Sequence, residues 1–148
     1  MREIKTHLSR ESANNYMNAL QKYKEELFTV VGEGIDTCCD LSHNNSNSRG
    51  WWHKDGQPLE RNIGELICLM HSELSEAMEG ARKDLVSDHI PGFSMLEEEL
   101  ADTLVRIFDL AGALKLNLSG AFKAKTLYNM VREDHSDASR AADGGKKF

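Results

Sequence analysis

The chain has 148 residues, 40% hydrophobic and 28% charged, a composition that is ordinary for one soluble globular domain. With 24 acidic and 18 basic residues, its net charge of −6 disfavours binding to a nucleic acid polymer, which requires a basic surface. No apolar run approaches the roughly 18–20 residues of a membrane span, and no secretory signal is recognisable. The three cysteines form neither a disulfide framework nor a zinc motif, so we expect a cytoplasmic protein.

Apolar residues recur every three or four positions along four stretches, and none alternates with period two, so the sequence predicts an all-α fold. The first helix is expected over residues 11–41, where Gly32 and Gly34 are interpreted as a break or a close helix contact. A polar loop is predicted over residues 42–50, followed by an irregular segment and a second helix over residues 62–84.

The third helix is predicted to follow an N-cap at Ser94 and to run to about residue 114. Asn117 or Ser119 is expected to cap a fourth helix that ends near Arg132. Residues 133–148 are expected to form a flexible tail. The whole chain, residues 1–148, is interpreted as a single domain.

The second helix carries two acids on or beside its buried stripe. Successive helical residues turn by about 100°. The stripe is then formed by apolar and small residues: Leu66, Leu69, Met70, Ala77 and Gly80. Glu73 falls inside this stripe and Glu76 on its edge. A carboxylate there loses hydration and must be protonated, paired or metal-bound, so a salt-bridged pair is the alternative to a metal site.

The third helix places Glu99, Asp102 and Arg106 on a polar strip beside its apolar stripe, whereas Glu97 and Glu98 are interpreted as surface acids of the first turn. The alternative for this strip is a solvated helix flank. The Glu-x-x-Glu and Glu-x-x-Asp pairs would repel one another if all four acids were ionised. Mg²⁺ or Mn²⁺ would resolve that repulsion, because hard cations prefer oxygen ligands.

The fourth helix aligns Lys125, Asn129 and Arg132 on one face. Lysine as a point charge and arginine as a fork both suit phosphate oxygens. The alternative is that these are ordinary charges that complement the helix dipole.

Three segments carry a family resemblance: ELICLMHSELSEA at residues 65–77, EELAD at 98–102 and KTLYNMVR at 125–132. Together they resemble the MazG-like all-α nucleoside triphosphate pyrophosphohydrolases, over roughly residues 50–132. Two acid pairs in this order, followed by Lys-x-x-x-Asn, form a fairly specific set, whereas one Glu-x-x-Glu is a weak signal. Arg106 stands where some relatives carry an aromatic residue.

The resemblance implies a four-helix MazG-like bundle completed by dimerisation, as a homodimer or a dimer of dimers with sites near subunit contacts. It implies hydrolysis of nucleoside or deoxynucleoside triphosphates to the monophosphate and pyrophosphate, in nucleotide-pool control or sanitation. The catalytic and Mg²⁺-binding residues implied are four: Glu73, Glu76, Glu99 and Asp102. Lys125 and Asn129 would contact the phosphates, with Arg132 beside them, and Trp51 and Trp52 would hold the base.

Other functions remain open from the sequence. The same chemistry could act on dUTP or on a phosphoribosyl-ATP-like metabolite. A non-catalytic nucleotide-binding helical module would bind a nucleotide without releasing pyrophosphate. A di-iron carboxylate bundle usually needs Glu-x-x-His pairs on two helices, and this chain has Glu76 and Asp102 in the places of those histidines.

Overall fold

The computed structural model describes residues 10–131. Four helices occupy most of this part of the chain: α1 (Arg10–Ser48), α2 (Ile63–Lys83), α3 (Met95–Ala113) and α4 (Leu118–Val131). Between α1 and α2 lie two short strands, β1 (His53–Lys54) and β2 (Gln57–Pro58). The all-α prediction is thereby confirmed for the described residues. Arg132 and the expected tail lie outside them.

Helix α1 is longer than the sequence predicts, and the polar loop expected over residues 42–50 is wrong. The helix runs for 39 residues without interruption at Gly32 or Gly34 and continues to Ser48. Its last turns pack against α3, where Ser42 is buried and His43 hydrogen-bonds Asp109 across the interface. These contacts outweigh the low helix propensity of the Ser- and Asn-rich stretch.

The segment after α1 forms a small hairpin rather than an irregular loop. Strands β1 and β2 pair antiparallel, with His53 opposite Pro58 and Lys54 opposite Gln57. The two residues between them, Asp55 and Gly56, both have positive φ, which is the backbone that a tight two-residue hairpin requires. The hairpin therefore fixes the path of the chain directly after the two tryptophans.

Capping contacts confirm the predicted ends of α2 and the predicted starts of α3 and α4. The Asn62 side chain accepts from the backbone at the start of α2, which ends at Asp84 in the left-handed conformation. Ser94 and Glu97 form a reciprocal capping box on α3. Of the two caps considered for α4, Asn117 is the one that accepts, from the backbone N–H of Gly120 at 2.9 Å.

Helix α3 packs against both α2 and α1, and α4 packs against α1. Two glycines allow the closest approaches. A Cβ on Gly80 of α2 would lie 2.9 Å from Met95 Cβ, and a Cβ on Gly112 of α3 would lie 2.7 Å from the backbone oxygen of Cys39 on α1. These contacts bring the backbones of three helices together and set the spacing at which the acidic side chains meet.

The hydrophobic core of the described residues is thin. Its buried apolar residues are Cys39, Ala77 and Ala111. One face of α2 is instead exposed, with Ile67 43%, Leu74 44% and Met78 60% accessible. An apolar face of this kind commonly marks an interaction surface. None of the described helices has the length and apolar character needed to cross a membrane.

We expect Gly112→Ala to lower the free energy of unfolding by about 1–3 kcal/mol, because the added methyl would overlap the α1 backbone. The matched control is Gly34→Ala on α1, where an added Cβ meets no atom within 4 Å. That control should gain up to about 1 kcal/mol from helix propensity. Urea denaturation of both variants measures the difference, and equal effects would contradict the close packing of α1 and α3.

Candidate functional site

Three carboxylates from α2 and α3 converge at the interface of these helices. One oxygen of each lies within 4.8 Å of the others, and the three residues are Glu73, Glu76 and Glu99. Glu73 and Glu99 are each only 7% exposed, whereas Glu76 stays accessible. We call these three residues the acid cluster. The predicted position of Glu73 inside the buried stripe of the second helix is confirmed.

The local sequence explains why the two helices present acids to each other. Residues three apart on a helix lie on one side, so Glu73 and Glu76 share a face. Ala77 and Gly80 continue the buried side of α2, and their small size lets α3 approach closely. Glu99 lies on the first turns of α3, opposite that face.

Burial and mutual repulsion raise the pKa of Glu99 to about 7. Loss of solvent is the largest cause, followed by a hydrogen bond with Glu73 and by the negative charges of Glu76, Glu73 and Asp102. A protonated Glu99 can donate a hydrogen bond to a carboxylate oxygen of Glu73. Below about pH 7 the cluster therefore relieves part of its repulsion by sharing a proton.

Asp102 lies beside the acid cluster rather than within it. It stays exposed as a residue and borders a cavity next to α3. Partial loss of solvent and the charge of Glu73 raise the pKa of the Asp102 carboxyl, while Arg106 opposes the rise. The structure thus brings three of the four predicted acids together. Asp102, the fourth, lies one helical turn after Glu99, close enough for its charge to raise the pKa of Glu99.

Arg106 pairs with Glu73, one of the two buried acids of the cluster. Its Nε and Nη2 atoms both donate to Oε1 of Glu73 at 2.7 Å. The sequence places Arg106 on the polar strip of α3 but does not identify this partner. A buried carboxylate paired in this way needs its cation, because removing one partner leaves an uncompensated charge.

The cavity beside Asp102 has a volume of about 190 Å³. It lies between the end of α1, the segment that precedes α2, and the facing sides of α2 and α3. Its polar and aromatic lining comprises Ser46, Trp51, Trp52, Arg61, Asp102, Arg106 and Asp109. This volume is below the roughly 300–1,000 Å³ of pockets that enclose a whole drug-sized ligand. It suits one planar ring system whose remaining groups extend outward.

A hydrogen-bond network holds Trp52 in the cavity wall. Trp52 Nε1 donates to Asp109 Oδ1 at 2.8 Å, and His43 Nδ1 lies 3.1 Å from the same oxygen. The His43 and Trp52 rings also meet edge to face, with centroids 5.6 Å apart. Asp109 therefore joins α1, α3 and the segment that carries the tryptophans.

Trp51 remains accessible, with 51% of its surface exposed, whereas Trp52 is half-buried. The Arg61 guanidinium lies 5.8 Å from the Trp51 ring centroid and 6.0 Å from that of Trp52, and it donates to the Trp51 carbonyl at 2.8 Å. The structure thus brings both predicted base-binding residues to one cavity, one as a fixed wall and the other as an open surface.

The predicted phosphate-binding residues lie elsewhere in the chain. Lys125 and Asn129 are on α4, which packs against α1, and Lys125 Nζ lies 4.8 Å from the Tyr128 ring centroid. Neither lines the cavity, and neither contributes to the pKa shifts of Glu99 and Asp102. Arg132, the third predicted member, lies outside the described residues.

A second charged group occupies the connector between α2 and α3. His89 Nδ1 lies 2.9 Å from both Asp88 Oδ1 and Glu98 Oε1, and these two charges raise the pKa of His89. Glu98 is 7% exposed, so its interpretation as a surface acid is wrong. The physical reason is that the connector folds back over the start of α3 and covers Glu98 while supplying its partner.

Sequence reasoning missed four residues that build this region: Ser46, His43, Arg61 and Asp109. Asp109 follows Arg106 by three residues on α3, so extension of the polar strip by one more turn would have found it. The other three lie outside α2 and α3, and their position depends on how distant segments pack. No local sequence signal identifies them.

The chemistry of the acid cluster fits a hard divalent cation. All its donors are carboxylate oxygens, which suit Mg²⁺ or Mn²⁺ better than a soft metal. Glu73, Glu76 and Glu99 could hold such an ion, and Asp102 lines the neighbouring cavity.

Comparisons with known proteins give no match, whether to a protein-family model, to a curated protein or to a solved structure.

At pH 8 without divalent cations, we expect Glu99→Gln to raise the free energy of unfolding by about 1 kcal/mol. The folded pKa of about 7 lies above the ordinary value of 4.5, so stability falls as pH rises through that interval and stays reduced above it. An amide carries no charge and avoids that loss. Urea denaturation at pH 8 and pH 4 measures the gain, which should vanish at pH 4.

The control is Glu97→Gln. Hydrogen bonds from Ser94 lower the pKa of Glu97, so its ionised form stabilises the folded state and its replacement should give no gain at pH 8. Equal behaviour of the two variants would contradict the assigned environment of Glu99.

Proposed function

We propose that this protein is a Mg²⁺-dependent nucleoside triphosphate pyrophosphohydrolase of the MazG-like kind. It would cleave nucleoside or deoxynucleoside triphosphates at the α-phosphate, giving the monophosphate and pyrophosphate. The observation that carries the proposal is the convergence of Glu73, Glu76 and Glu99 within 4.8 Å beside a cavity with tryptophans in its wall. A nucleoside triphosphate suits this combination, because its phosphates can bind a metal held by the acids and its planar base can enter the cavity.

The acids would bind the cations that a triphosphate requires as counter-ions. A triphosphate and several carboxylates repel each other, so Glu73, Glu76, Glu99 and Asp102 would act by holding Mg²⁺ rather than by contacting the phosphates directly. When bound, Mg²⁺ supplies Lewis acidity at the phosphoryl oxygens and lowers the pKa of a coordinated water. Glu99 must lose its proton to serve as a ligand, which favours metal binding above about pH 7.

The cavity provides the site for the base. The open surface of Trp51 can stack on a planar ring, while the hydrogen bonds of Trp52 and Asp109 keep the opposite wall in place. Asp102 and Arg106 line the same cavity and lie beside the acid cluster. A nucleotide with its base in the cavity would therefore extend its phosphates toward the acids.

Assembly into a homodimer, or into a dimer of dimers, is part of the proposal. The face of α2 formed by Ile67, Leu74 and Met78 is exposed although the core of the described chain is thin. A second copy would cover such a face and complete the bundle. Assembly also offers a route by which Lys125 and Asn129 of one copy could approach the acids of another.

The function is tested by incubating the purified protein with each nucleoside and deoxynucleoside triphosphate and Mg²⁺, and identifying the products. Monophosphate and pyrophosphate are expected. Glu73→Gln and Asp102→Asn should each lower kcat at least a hundredfold, because each removes a charge that holds the metal or borders it. Both variants should keep the helical circular dichroism of the wild type.

The control is Glu79→Gln, on the same helix but paired with Lys83 at the surface, and it should retain near-wild-type turnover. Diphosphate and orthophosphate as products would contradict the proposed reaction. Nucleotide binding without any product would favour a non-catalytic nucleotide-binding module.

For the assembly, we expect Leu74→Glu combined with Met78→Glu to convert the oligomer to a monomer in size-exclusion chromatography with light scattering. Association would bury the two new charges on the exposed face of α2, and burying unpaired charges is costly. Val30→Glu, a change at an exposed apolar residue of α1, should leave the mass unchanged. A wild-type protein that is monomeric at micromolar concentration would rule out the proposed assembly.

A further inference from the structure

Arg106 occupies a position between the two parts of the proposed site. Its guanidinium contacts the acid cluster through Glu73 Oε1, and its side chain also lines the cavity with Trp51 and Trp52. Among the described residues, it is the cation with contacts on both sides. The other cation of the cavity, Arg61, lies against the two tryptophan rings and the Trp51 carbonyl.

A divalent cation and Arg106 would draw on the same carboxylate. Both guanidinium donors converge on Oε1 of Glu73, and that residue is also a member of the acid cluster. The two hydrogen bonds are charge-assisted, and they would weaken once a metal withdraws electron density from that carboxylate. Metal binding thus lowers the need of Glu73 for an arginine partner.

The side chain of Arg106 has an alternative place to go. It is 34% exposed, and it extends from α3 one turn after Asp102, at the edge of the cavity. A guanidinium presents several N–H donors in one plane, which suits the oxygens of a phosphate as well as a carboxylate. A change of rotamer would turn these donors away from Glu73 and toward the cavity that Arg106 already lines.

Building on the proposed function, we propose that Arg106 is a transferable counter-ion: it pairs with Glu73 until a divalent cation binds that carboxylate, and it then binds the triphosphate. This role makes metal and anion binding cooperative. A metal bound to Glu73 releases Arg106 for the anion, and an anion bound to Arg106 releases Glu73 for the metal. It assigns to Arg106 the phosphate contact that Lys125 and Asn129 do not supply within one chain.

The test measures binding rather than turnover, with Mn²⁺ alone and then with inorganic tripolyphosphate in the presence of Mn²⁺, by calorimetry. Arg106→Ala should bind Mn²⁺ about fivefold more tightly than the wild type, because a competing ion pair is removed. It should bind tripolyphosphate roughly tenfold more weakly, because a charge-assisted contact is lost. The control, Arg82→Ala on the exposed side of α2, should match the wild type in both titrations.

A second variant covers the case in which Arg106→Ala does not fold with Glu73 unpaired. Arg106→Lys keeps a cation beside Glu73 but lacks the two-pronged contact with Oε1. It should bind Mn²⁺ about twofold more tightly and tripolyphosphate about threefold more weakly than the wild type.

Mn²⁺ affinity that is unchanged or reduced in these variants overturns the proposal and leaves Arg106 as a support for Glu73. Tighter Mn²⁺ binding with unchanged tripolyphosphate binding overturns the transfer step. These outcomes are separate from the enzymatic assignment. If the Arg106 variants show both binding effects but the wild type releases no pyrophosphate, the proposed reaction is contradicted and the role of Arg106 is supported.

Discussion

The interface between α2 and α3 removes two carboxylates from water at almost the same point. Desolvation of an ionised group is costly unless it is paired, protonated or bound to a metal, and the residues around Glu73 and Glu99 supply such partners. Arg106 pairs with Glu73, and Glu99 keeps its proton up to about pH 7. The close helix approach at Gly80 is what makes the crowding unavoidable.

The cavity depends on elements that are distant in sequence. Asp109 on α3 receives the indole N–H of Trp52 and lies within hydrogen-bond distance of His43 on α1. Through these two contacts, the end of α1 and the segment before the hairpin are held against α3. The aromatic wall therefore stands next to the acids because one carboxylate serves as the common partner of an indole and an imidazole.

The described chain leaves many of its large apolar side chains exposed to solvent. Small residues form its buried apolar positions, whereas Leu74 and Met78 stay accessible within the described chain. A protein of this size can bury roughly two-thirds of its unfolded surface, but the described chain leaves many large side chains in contact with solvent. Association between copies, as proposed above, would cover this surface.

The sequence predicted the parts of this protein that depend on local periodicity. The all-α class, the cap at Ser94, the narrowing of the α4 cap to Asn117 or Ser119, and the burial of Glu73 follow from helix geometry and from the positions of apolar residues. The acid pairs are recognisable for the same reason, since a spacing of three residues places both members on one side of a helix. Their convergence then needs only that α2 and α3 pack through these sides.

The tertiary structure decided everything that joins residues far apart in the chain. The extension of α1 to Ser48 depends on its contacts with α3, and the burial of Glu98 depends on the connector that brings His89 over it. The pairing of Arg106 with Glu73 across 33 positions has no local signature in the sequence. Periodicity determines which side of a helix a residue occupies, but the distance and angle between helices determine which side chain it meets.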